Sequence, residues 1–99
     1  MNEYARHTVR DQLTFFSNPA LVRKPAFTVI DRMDGFTPGA SLLGTAVALI
    51  AQCEAIGLPV QDLIQRGQNI MGHADGAFTY HVKAIRDYAR NEILRSGQR

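Results

Sequence analysis

The longest apolar run in the chain lies at residues 40–56, and its spacing is helical. Leu42, Ala46, Leu49, Cys53 and Ile56 recur every three or four residues, the row that a helix turns toward a core. Beside it Ala40, Gly44, Ala48, Ala51 and Ala55 form a stripe of small residues. A face without bulk admits another backbone at close range, so the stripe is expected to meet a helix of the same chain or of a second copy. Residues 42–51 are apolar almost all round, which demands cover on several sides. Thr37-Pro38 is a helix start, with Thr as cap and Pro at the first helical position. Gly57 is the expected left-handed terminator, and Pro59 prevents continuation.

The flanking pattern predicts three more helices. Ala5, Val9, Leu13 and Phe16 line a first helix over 2–17, capped by Asn2 and stopped at Asn18-Pro19, where Asn18 can also cap one further turn. Val60, Leu63, Ile64, Ile70 and Met71, with Gly67 on the same face, mark a helix from about residue 59 to Gly72. Gly in a helix interior needs a compensation, and close approach to the small-residue stripe supplies one. Phe78, Val82, Ile85, Ala89 and Ile93 mark the last helix, over 77–95. Between the first two helices the pattern is irregular. Pro25 and the Asp31, Asp34, Gly35 cluster read as turns, and Phe27-Thr28-Val29-Ile30 reads as an apolar strap or a short strand.

The expected fold is all-α: a single domain over 1–99, built as a small bundle of four main helices around a central αα-hairpin. Residues 1–17 are the N-terminal helix, 18–36 an irregular connection, 37–95 a three-helix core and 96–99 a frayed tail. A chain of 99 residues buries only a modest core, so a homo-oligomer, with a dimer favoured, is expected. The single Cys rules out an internal disulfide framework and fits a reducing compartment. The first residues lack an apolar signal region, and the 40–53 run, which carries Ser41, Thr45 and Gln52, is shorter than a bilayer requires. No membrane partner is expected.

Net charge is +2 and the pI about 9.0, compatible with an anionic partner but too weak to require one. Lys83, Arg86 and Arg90 share one helix face, with Tyr80 and Tyr88 nearby as amphipathic side chains. This row is the candidate surface for a protein or small anionic ligand; the plainer interpretation is a solvated face, since Asp87 and Glu92 lie among the basic residues. Residues 46–71 contain a degenerate helix-turn-helix, whose second helix would present Gln61, Gln65, Arg66, Gln68 and Asn69 to bases or phosphates. Pro59 straight after the turn and Asp62 near the phosphates count against it, and a plain helical hairpin is the simpler interpretation. His73, Asp75 and His81 match no metal-ligand spacing, and His7 lies on another helix. Asp75 reads as a helix cap and Cys53 as an inert core residue. No phosphate loop, paired-carboxylate motif or nucleophile elbow occurs, so no catalytic residue, metal or cofactor is assigned.

The segment 41–94, with Gly57-Leu58-Pro59-Val60-Gln61-Asp62-Leu63 and Ala84-Ile85-Arg86-Asp87-Tyr88-Ala89, resembles short uncharacterised accessory proteins of bacteriophages and prophages. The resemblance implies a bacterial cytoplasm and a protein that acts by binding a component of the host; it assigns no site residue. The expected function is therefore non-enzymatic binding of a host protein or small anionic ligand. The alternative is a small DNA-binding regulator.

Overall fold

The computed structural model describes residues 3–72 and 79–97, and these are arranged as five helices with no strand among them. They are α1 (Glu3–Phe15), α2 (Pro19–Arg32), α3 (Pro38–Ile56), α4 (Val60–Met71) and α5 (Thr79–Gly97). The all-α class holds, but with five helices rather than four. The additional one, α2, occupies most of the stretch expected to be irregular. Asn18 caps it by accepting a 2.8 Å hydrogen bond from the Ala20 amide, and Pro19 follows with its φ already suited to the first turn. Pro25 lies inside this helix instead of ending it. Residues 27–30 are helical, neither strap nor strand, because Val22, Ala26, Ile30 and Met33 form an inward row spaced four, four and three.

The predicted ends of α3 hold. Pro38 opens it after Thr37, although the Thr37 side chain makes no capping bond. Gly57 closes it at φ 67°, with the Gly57 amide bonded to the Glu54 carbonyl and the Leu58 amide to the Cys53 carbonyl. These two bonds make a Schellman terminus, which needs a left-handed residue and so a glycine. Gly72 ends α4 as expected. At the C-terminus α5 continues to Gly97, so residues 96 and 97 extend the helix rather than fray. The expected helical positions 2, 77 and 78, with His73 and Asp75, lie outside the described residues.

The principal helix pair joins α2 to α5. Its contacts advance in the same direction along both helices: Arg23 meets Tyr80 and His81, Phe27 and Asp31 meet Tyr88, and Asp34 meets Arg95. The two helices therefore run parallel. Val82 and Ile85 supply this seam with buried side chains, Val82 only 1% exposed. A second small core forms at the turn after α3, where Cys53 and Leu58 are buried. There α1 crosses the end of α3, and the Arg10 guanidinium donates to the Gly57 carbonyl at 3.1 Å. A cation at a helix C-terminus is favourable, because the last carbonyls carry partial negative charge.

The remainder is open. The radius of gyration is 14.7 Å, against about 12.6 Å for a compact chain of this length. Gly44 and Gly67 each have nothing within 4 Å of where a Cβ would stand. The expectation that Gly67 and the small-residue stripe meet within the chain is thus overturned. Ala40, Gly44, Ala48, Ala51 and Ala55 are all exposed.

Candidate functional site

α3 has one covered face, on which Ser41, Leu49, Cys53 and Ile56 are buried or half-buried. The C-terminal half of the predicted core row is therefore inward, but Leu42 and Ala46 are not. In the N-terminal half this face is less covered. Ser41 points into the protein and donates to the Met33 carbonyl at 3.1 Å, and Thr45 donates back to the Ser41 carbonyl at 2.8 Å. Leu43 and Val47 face outward, at 71% and 65% exposed, whereas Leu42, also exposed, borders a groove shared with α2 and α5. Ile50 is also exposed. Between Asp34 and Glu54 the chain carries no Asp, Glu, Lys, Arg or His. A hydrophobic surface of this continuity, without charge, is characteristic of an interaction site.

Two apolar grooves flank this helix. One, of about 200 Å³, lies among Ile30, Met33, Leu42, Ala89 and Ile93. The other, of about 490 Å³, lies among α1, α3 and α4, with Val9, Leu13, Leu49, Ile64 and Ile70 on its walls and Arg66 at its edge. As a complete helix of 19 residues, α3 is long and apolar enough to cross a membrane by length and composition. The expectation that the run is too short took only residues 40–53, omitting a full turn of the helix.

The basic row of α5 is exposed but engaged with its own protein. Lys83 lies 2.6 Å from Asp87, and its ammonium holds the Asp87 carboxyl below the usual carboxylate range, with Arg90 adding to the effect. Arg86 donates to the Met71 carbonyl at 2.8 Å, capping the end of α4. Tyr88 is half-buried, stacked on Phe27 at 4.5 Å, and donates its hydroxyl to Asp31. Tyr80 is exposed, with the Arg23 guanidinium 5.0 Å above its ring. That guanidinium lowers the Tyr80 hydroxyl from its ordinary value, first by hydrogen bonding and then by charge. Arg23 Nη1 also lies 3.4 Å from His81 Nδ1; Arg has only N–H groups to offer, so Nδ1 is the acceptor. Of the five residues chosen around this row, Arg86 and Tyr88 therefore bind neighbouring helices, and Lys83 is paired on its own helix.

On α4, Gln61, Gln65, Gln68 and Asn69 are exposed, and Gln65 donates to Asn69 at 2.9 Å. Arg66, expected beside them, lines the larger groove instead. Among the described residues, no group of three or more His, Cys, Asp and Glu side chains is placed to hold a metal ion.

Sequence periodicity does not identify Leu43, Val47 and Ile50 as an outward face. The available signal is that residues 42–51 are apolar all round and exceed what one small domain can cover. Comparisons with protein families, with curated proteins and with solved structures find no match.

Proposed function

We propose that this is a non-enzymatic helical binding protein that works through the outward face of α3. The observation that supports this reading is the face of α3 opposite its covered side, where Leu43, Val47 and Ile50 stand exposed with no charged residue between Asp34 and Glu54. Exposing such side chains forgoes roughly 1.5–3 kcal/mol each, a loss that association with another apolar surface recovers. Closure of the helices into a bundle around the α3–α4 hairpin belongs, in this reading, to the associated form. The basic row gives less support to a small anionic ligand, because Lys83 and Arg86 already have partners within the chain. With the phage and prophage resemblance, we infer an accessory protein of the bacterial cytoplasm whose partner is a protein.

The test is affinity capture by the tagged protein from a bacterial lysate that also contains untagged copies of this chain, with wild type and two variants and with circular dichroism as the folding control. Leu43→Glu with Val47→Glu removes capture, and Arg86→Glu with Arg90→Glu retains it. The reverse pattern assigns binding to the basic row instead.

A further inference from the structure

We propose that the partner of α3 is a second copy of this chain, crossing it antiparallel about a two-fold axis near Val47. The proposal rests on the reading of α3 as a protein-binding face and names its occupant. Area provides the first argument. The chain exposes 7120 Å², whereas a folded monomer of this mass exposes about 5,600 Å². The excess, roughly 1,500 Å², is within the 1,000–2,500 Å² that each partner contributes to an obligate dimer.

Shape provides the second argument. Opposite the covered face, Leu43, Val47 and Ile50 stand as a ridge at spacings of four and three. Immediately beside it Gly44, Ala48 and Ala51 form a shallow channel, with open space above Gly44. A two-fold axis between ridge and channel sets the ridge of each copy into the channel of the other, as a self-complementary interface requires. The antiparallel order follows from charge. Glu54, the one ionised residue of α3, lies on the ridge side near its C-terminal end. Antiparallel crossing sets it beside the partner's helix N-terminus, which favours an anion; parallel crossing would set two Glu54 side chains together. A lipid environment fits less well, because Leu49 lines a groove shared with Gln12 and Arg66, so lipid cannot surround α3.

Sedimentation equilibrium of the pure protein, between 1 and 200 µM, tests the proposal. The expected mass is twice 11.0 kDa. Val47→Glu and, separately, Gly44→Leu raise the dimer dissociation constant at least tenfold while helical content is kept. Both positions are exposed, so neither change enters the covered core. Mixing Leu43→Cys with Ile50→Cys under mild oxidation gives the mixed disulfide in excess over either homodimer; predominance of the homodimers overturns the antiparallel order. A wild-type mass of 11.0 kDa throughout overturns the proposal. If that monomer still captures another protein and loses it with Val47→Glu, the reading of α3 as a protein-binding face survives alone. If it captures no protein and co-sediments with phosphatidylcholine–phosphatidylglycerol vesicles in a Val47-dependent way, both are overturned.

Discussion

Arg86 and Arg90 lie one helical turn apart on α5, both exposed, yet only Arg86 reaches another element, at the Met71 carbonyl. A bond of this kind contributes about 0.5–1.5 kcal/mol. Arg86→Ala should therefore lower the free energy of unfolding in urea by that amount, and Arg90→Ala should remain within about 0.5 kcal/mol of wild type. Equal losses would mean that the row acts through its charge rather than through the single contact. Arg23 makes a second distinction. It lies over Phe27 and Tyr80 and lowers the Tyr80 hydroxyl, so Tyr80 should ionise at lower pH than an unperturbed tyrosine. Arg23→Gln should return that step to the ordinary range in a spectrophotometric titration. A curve that does not change would remove the guanidinium from the Tyr80 environment. The Arg86–Met71 and Arg23–Tyr80 contacts join residues far apart in sequence, and neither leaves a local trace. That is why Tyr80 and Tyr88 were visible in the sequence only as amphipathic side chains near a basic row.

At the scale of elements, α2 is held against its own composition. Pro25 has no amide proton for the Leu21 carbonyl, and an interior proline disfavours a helix by about 3 kcal/mol. The proline also restricts the unfolded chain, which returns about 0.4–1 kcal/mol. Pro25→Ala should thus raise stability by about 2–2.5 kcal/mol in urea denaturation, and a decrease would show that α2 is better formed with the proline. The same proline, next to four β-branched or aromatic residues, concealed α2 in the sequence, where the Val22, Ala26, Ile30, Met33 row was the contrary signal. α3 and α4 were legible because their boundaries are local: Thr37-Pro38 at one end and Gly57-Leu58-Pro59 at the other. The rotation of α3 was legible in the row Leu49, Cys53 and Ile56, which is covered. That Ser41 occupies the N-terminal end of the covered side, bonded to Met33, was not, because a helix apolar on nearly every side marks no edge to its covered face.

At the scale of the whole molecule, the buried hydrophobic side chains among the described residues form two small patches, around Val82 and Ile85 and around Cys53 and Leu58. If two copies associate, folding and association share one equilibrium, and the thermal midpoint should rise as protein concentration rises. Calorimetry between 5 and 200 µM checks this; a midpoint independent of concentration would mean that each chain is stable alone. The parallel seam of α2 and α5 has a further consequence, in time rather than in energy. Its contacts span 57 and 58 residues of sequence, so α2 leaves the ribosome well before its partner helix exists. At about 5–20 residues per second the interval is several seconds. In its later part, once Ile56 has been made, α3 is complete while α5 is still absent, the condition in which nascent chains meet one another. Truncation before Thr79 makes that interval permanent, and a chain stopped there should accumulate in the insoluble fraction during synthesis, whatever its helices do individually.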